Sequence, residues 1–67
     1  MYNEAIIAFI QAIRIKPDDA DAYFGLGCAY ISLHDKDSAL EQYKILKNLD
    51  SGVANRLLNL INKYFKG

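Results

Sequence analysis

The sequence of 67 residues matches itself when it is shifted by 34 positions. The shift pairs small residues with small ones and apolar or aromatic residues with residues of the same kind: Ala5 with Ala39, Phe9 with Tyr43, Ile15 with Leu49, Leu26 with Leu60 and Tyr30 with Tyr64. A period of this length is typical of proteins built from stacked repeats, in which each unit buries its apolar face against the next. The period therefore predicts that the two halves of the chain fold in a similar way.

Apolar residues recur at helical spacing in four segments, which proline, glycine and polar turns separate. Pro17 ends the first segment, because the residue before a proline is disfavoured in helical angles. Asp18 and Asp19 are candidate caps for the second segment, and Asp37 or Ser38 for the third. No segment alternates with a period of two, so no strand is predicted. The predicted helices span residues 2–15, 20–33, 38–49 and 53–65.

The second and third helices together carry a recognisable motif of small and aromatic residues. Along the chain it reads Tyr23-x-x-Leu26-Gly27-x-x-Tyr30 and then Ala39-x-x-x-Tyr43, while the first helix carries its second half as Ala5-x-x-x-Phe9 followed by Pro17. This pattern resembles the tetratricopeptide repeat family, whose unit is also 34 residues long. The chain departs from the family pattern at Tyr23, where Trp is usual, at Leu46, where a small residue is usual, and at Ser51, where proline is usual.

The resemblance implies an all-α fold in which antiparallel helix pairs stack as a short right-handed α-solenoid. Residues 2–15 would be the second helix of a partial repeat, residues 20–49 a complete repeat and residues 53–65 a terminal helix, within one module spanning residues 1–67. We expect this module to be a fragment of a longer repeat protein. Gly27 and Ala39 are expected to be small because the two helices of one repeat approach each other closely there, and His34 stands where the family usually has glycine.

Charge and composition exclude several classes of function. Eight basic and eight acidic residues give a formal net charge of zero, which argues against binding to nucleic acid or to a membrane surface. The longest apolar run, Ala5–Ile10, is too short to span a bilayer. One cysteine cannot form an internal disulfide, and no secretory signal is recognisable, so a cytoplasmic location is expected.

No residue pattern points to catalysis, a cofactor or a metal. His34 is the only histidine, and Cys28 has no basic neighbour that would activate its thiol. Asp18, Asp19 and Asp21 lack the glycine turn and closing glutamate of a calcium loop, so helix capping is the better interpretation. We therefore expect no cofactor and no enzymatic activity.

The resemblance implies that the second and fourth helices line a concave groove that binds a peptide or helix of a partner protein. The residues predicted to contact this partner are Asp21, Phe24, Cys28, Asn55, Leu58, Asn59 and Asn62, with Gly25, Ile31, Ser32, Phe65 and Lys66 on the same faces. Some related modules bind the carboxy-terminal carboxylate of chaperones through a basic clamp. That alternative is disfavoured here, because this face offers Lys66 as its only base.

Self-assembly is the alternative function. Ile7 and Ile10 are apolar where the third helix has Glu41 and Lys44, so the first helix is apolar nearly all round, as buried helices are. Four residues are predicted to be uncovered in a monomer and to drive association, most simply to a homodimer: Ile7, Ile10, Leu57 and Ile61.

Charge is distributed unevenly along the chain. Residues 18–37 contain five acids and one lysine, a net charge of −4, while residues 44–66 contain five bases and one acid, a net charge of +4. This division favours electrostatic complementarity between copies or towards a partner.

Overall fold

The structure is a computed structural model that describes residues 2–66, and within that range it contains four α-helices and no strand. The number, order and type of the elements confirm the all-α prediction. α1 has the predicted boundaries, and the other helices differ from the prediction by one to two residues at their ends. The helices are α1 (Tyr2–Ile15), α2 (Ala20–Ser32), α3 (Lys36–Leu49) and α4 (Ser51–Tyr64).

An aspartate caps the amino terminus of α2, α3 and α4 in the same way. The Oδ1 atom of Asp19 accepts a hydrogen bond of 3.2 Å from the backbone N–H of Ala22, and Asp35 accepts one of 3.1 Å from Ser38. These bonds satisfy backbone donors that the first turn of a helix leaves without a partner. The predicted cap of α3 at Asp37 or Ser38 is therefore wrong, because Asp35 starts the helix at Lys36.

Asp50 serves two helices at once. It is the carboxy-terminal cap of α3, and its Oδ1 atom accepts a hydrogen bond of 3.2 Å from the backbone N–H of Val53 in α4. Because one residue makes this connection, α4 begins at Ser51, two residues before the predicted start, and Gly52 lies within its first turn. The direct connection leaves no loop between α3 and α4.

The turn between α2 and α3 is closed by two hydrogen bonds characteristic of a helix end. The N–H of His34 donates to the carbonyl of Ile31 at 3.0 Å, and the N–H of Asp35 donates to the carbonyl of Tyr30 at 2.9 Å. This pair of bonds is the Schellman motif, which requires a left-handed residue after the cap. His34 takes that conformation with a φ of 59°, at a position usually occupied by glycine.

α2 lies in the middle of the molecule and contacts each of the other three helices. The apolar core is formed by side chains from α2, α3 and α4, namely Ile31, Ala39, Leu46, Ala54, Leu57 and Ile61. None of the four helices combines the length and the apolar character that crossing a bilayer requires, within residues 2–66.

Two glycines let α2 approach its neighbours on different sides. A Cβ atom on Gly25 would collide with the ring of Phe9 from α1, and one on Gly27 would lie 2.7 Å from Cδ2 of Leu57 in α4. Gly27 is thus a packing residue, as predicted, but its closest neighbour is Leu57 and not Ala39. The contact with Gly25 shows that Phe9 of α1 packs onto α2.

α4 buries the face formed by Ala54, Leu57 and Ile61. Leu57 and Ile61 are each 0% exposed, so the prediction that these two residues are uncovered and available for self-association is wrong. The reason is that α4 packs against both α2 and α3, which together cover this face without a further helix.

α4 does not pack as a second copy of α2. The shift by 34 positions matches Ala22 and Ala29, which are buried in α2, with Arg56 and Lys63, which are exposed in α4. Two long charged side chains cannot occupy space that fits two alanines without an unfavourable loss of hydration. α4 therefore closes the core with one apolar face and presents a polar face outward.

Candidate functional site

An open cleft of about 390 Å³ lies where the carboxy-terminal halves of α2 and α4 run beside each other. Its lining comes from α2, from the turn after α2 and from α4: Cys28, Ile31, Ser32, His34, Leu60 and Tyr64. Clefts of this volume are in the range that holds small molecules or side chains of a partner.

Helix spacing places the lining residues on the two facing sides of the cleft. Cys28 and Ser32 are four residues apart on α2, and Leu60 and Tyr64 are four residues apart on α4, so each pair lies one turn apart on one face. Ile31 of α2 also lines the cleft and is buried as part of the apolar core. The cleft is therefore an outward extension of the core.

The two walls differ in chemistry. Leu60 is half-buried and Tyr64, at the rim, is 61% exposed, so α4 supplies an apolar and aromatic wall. α2 supplies the thiol of Cys28 and the hydroxyl of Ser32, which are small and uncharged. Such a cleft can bury an apolar side chain and offer hydrogen-bonding groups along one edge.

Cys28 contributes a neutral group to the cleft. The side chain is half-buried, and burial raises the pKa of its thiol above the ordinary value, because a thiolate loses hydration there. A thiol with a raised pKa is a poor nucleophile at neutral pH. Cys28 therefore acts in the cleft as a small packing residue.

The cleft overlaps with the predicted groove only on α2, where Cys28, Ile31 and Ser32 belong to both. Cys28 lines it, and Phe24 lies one turn earlier on α2 and is half-buried, while Asp21 is exposed beyond it. The four predicted residues of α4 are not among the lining residues: Leu58 is half-buried, and Asn55, Asn59 and Asn62 lie on the exposed face of the helix. Whether these residues contact a partner stays a prediction.

Sequence reasoning did not find Leu60, Tyr64 and His34 as lining residues. Leu60 and Tyr64 match Leu26 and Tyr30 under the shift of 34 positions, and the sequence did not assign them to the predicted groove. The signal that could have found them is the pair Arg56 and Lys63, whose charge prevents α4 from packing as α2 does.

Comparison with known families agrees with the helical repeat. A family model described as TPR repeat matches residues 1–34, and a second, described as tetratricopeptide repeat, matches residues 20–51. The chain belongs to the tetratricopeptide repeat family. Both matches end at or before the first residue of α4. Members of this family are generally non-catalytic modules that mediate protein–protein interaction. No curated protein and no solved structure matches the chain.

Proposed function

We propose that the chain is a protein-docking module that holds a short segment of a partner protein in the cleft between α2 and α4. The observation that carries the proposal is the open cleft in which the apolar wall of Leu60 and Tyr64 lies beside the buried core residue Ile31. The family generally mediates protein–protein interaction, so docking of a partner protein is the most direct use of this surface.

The cleft suits one large apolar side chain of a partner. Such a side chain would cover the ring of Tyr64 and the exposed part of Leu60, and it would continue the core outward from Ile31. Full burial of one Leu, Ile, Phe or Met side chain contributes about 1.5–3 kcal/mol, which is the size of effect seen for anchor residues in interfaces. Ser32 and His34 can hydrogen-bond to the backbone of the same segment.

Selection of short random peptides displayed on phage, with the chain as the immobilised target, tests the proposal. Selected peptides are synthesised, and their Kd is measured against the wild type and against Tyr64→Ala, which removes an exposed ring and leaves the core intact. Ile15→Ala is the matched control, because Ile15 is an exposed residue at the end of α1 and does not line the cleft. Asn62→Ala tests the groove predicted from the sequence.

The proposal expects Tyr64→Ala to weaken binding by about tenfold, which corresponds to about 1.4 kcal/mol, and Ile15→Ala to have no effect. Equal affinities of Tyr64→Ala and wild type would move the docking site away from the cleft. A loss of affinity confined to Asn62→Ala would place the docking site on the predicted groove face of α4, which carries Asn55, Asn59 and Asn62.

Self-association is a second candidate function, favoured by the exposure of isoleucines on α1. Ile7 is 57% exposed and Ile10 is 38% exposed, as the sequence predicted for these two residues. A second copy could cover both, and because their exposed parts together amount to about one side chain, this burial would contribute roughly 1.5–3 kcal/mol. We expect sedimentation to find wild-type dimers and monomers of Ile7→Glu with Ile10→Lys. A wild type that stays monomeric at high micromolar concentration would exclude this candidate.

A further inference from the structure

The apolar wall of the cleft is bordered on α4 by two cations. Arg56 precedes Leu60 by four residues and Lys63 follows it by three, so both lie next to Leu60 on the surface of the helix. Both side chains are exposed. The sequence of α4 contains no acidic residue, and Lys66 follows its end.

Lys63 also lies close to the aromatic residue of the cleft. Its Nζ atom is 5.8 Å from the ring centroid of Tyr64, within the range of a cation–π contact. Because Tyr64 forms the rim, this contact holds a positive charge at the mouth of the cleft. A ligand that covers the ring meets that charge at the same time.

The facing wall does not neutralise these cations. Cys28 and Ser32 are uncharged, and burial keeps the Cys28 thiol protonated. The nearest carboxylate in sequence to this end of α2 is Asp35, which already accepts a hydrogen bond from the N–H of Ser38 as the cap of α3. The mouth of the cleft thus combines an apolar floor with a cationic edge on α4.

We propose that the cleft selects a partner segment in which a large apolar residue is flanked by aspartate or glutamate. This inference rests on the proposed function, and it adds the chemical class of the partner. The apolar residue enters the cleft, and the flanking side-chain carboxylates lie along Arg56 and Lys63. Charges placed in this way raise the association rate and select among partners that share the same anchor. The contacts are made by flanking side chains, so the peptide needs no free carboxy terminus.

The experiment uses three synthetic peptides that share one anchor selected against the chain and differ in their flanks, which are glutamate, glutamine or lysine. Each peptide is amidated at its carboxy terminus. Its Kd is measured at low and at high salt against the wild type and the variant Arg56→Glu with Lys63→Glu. The matched control is Lys44→Glu with Lys47→Glu, which changes the net charge equally on exposed positions of α3. Circular dichroism checks that each variant is folded.

We expect the glutamate peptide to bind the wild type about tenfold more tightly than the lysine peptide, with the glutamine peptide between them. The order should reverse for Arg56→Glu with Lys63→Glu and stay unchanged for the control on α3. High salt should reduce the difference among the peptides, because the cations are exposed to solvent.

The outcomes separate this inference from the proposed function. Equal affinity of the three peptides for the wild type would overturn the preference for acidic flanks and leave docking of the anchor intact. Failure of every selected peptide to bind would overturn the proposed function itself. Wild-type dimers that dissociate when Arg56 and Lys63 are reversed would show that a second copy occupies the cleft, and this result also overturns the inference.

Discussion

Replacement of Gly27 by alanine measures how closely α2 and α4 pack. The added Cβ atom would lie 2.7 and 2.8 Å from the two methyl carbons of Leu57, which is closer than a carbon–carbon contact allows. Leu57 is fully buried, so it cannot swing into solvent to make room. Overpacking of a core costs about 1–3 kcal/mol. Alanine in place of a helical glycine gains about 1 kcal/mol in helix propensity, which offsets part of that loss.

Gly52→Ala provides the control that removes the propensity contribution. Gly52 is also helical, but a Cβ atom there would have only an ordinary contact of 3.4 Å with Oδ1 of Asp50. We expect thermal melts to place Gly52→Ala at or above the wild type and Gly27→Ala below Gly52→Ala by about 1–3 kcal/mol, equivalent to roughly 4–20 °C for a domain of this size. Equal melting temperatures of the two variants would refute the close packing of α2 against α4.

Three further predictions concern the helix ends. His34→Gly should raise the free energy of unfolding by about 0.5–1 kcal/mol, because glycine adopts the left-handed conformation without strain. His34→Ala should give no such gain, and urea titration of both variants measures the difference. Asp50→Ala should lower the free energy of unfolding by about 1 kcal/mol, because the hydrogen bond from the N–H of Val53 is lost. Asp50→Asn should retain most of the wild-type stability, because its side-chain oxygen can still accept that bond. Hydrogen bonds from the Ser38 side chain and backbone lower the pKa of Asp35, so the stability from this cap is complete above the ordinary aspartate value of 3.8 and is lost as the pH falls through the lower folded-state value. The melting temperatures of the wild type and of Asp35→Asn, measured over a range of pH, should converge in acid. A difference between them that stays constant with pH would contradict this linkage.

The positions of the helices could be predicted because their signals are local. Pro17 ends α1, and apolar residues recur at helical spacing in each segment, so all four helices were found with small errors at the ends. The start of α3 was missed because Asp35 and Asp37 are equally good caps in isolation. The choice between them depends on the left-handed backbone conformation of His34. Glycine at this position would have predicted that conformation, whereas histidine does not.

The placement of α4 could be predicted only in part. The period of 34 residues correctly made α4 helical, but it also suggested that α4 presents the same faces as α2. Arg56 and Lys63 contradicted that suggestion already in the sequence, since they fall where α2 has buried alanines.

Only the α2 side of the cleft could be predicted, because the cleft depends on how two helices meet. Cys28, Ile31 and Ser32 were expected in a groove and line the cleft, whereas Leu60 and Tyr64 line it without having been assigned to that groove. Their position follows from the burial of Leu57 and Ile61 against α2 and α3, which turns the neighbouring face of α4 towards Cys28. A contact of this kind is set by tertiary packing and leaves no local trace in the sequence.

The rate at which a thiol reagent modifies Cys28 is the most direct test of docking in the cleft. Cys28 is the only cysteine of the chain, it is half-buried, and it lines the cleft, so its modification reports on this site alone. The measurement compares the free chain with the chain saturated by a selected peptide, at a pH high enough to form some thiolate. The account predicts that the bound peptide slows modification several-fold, because its anchor covers the thiol. A saturating peptide that leaves the rate unchanged would contradict the account.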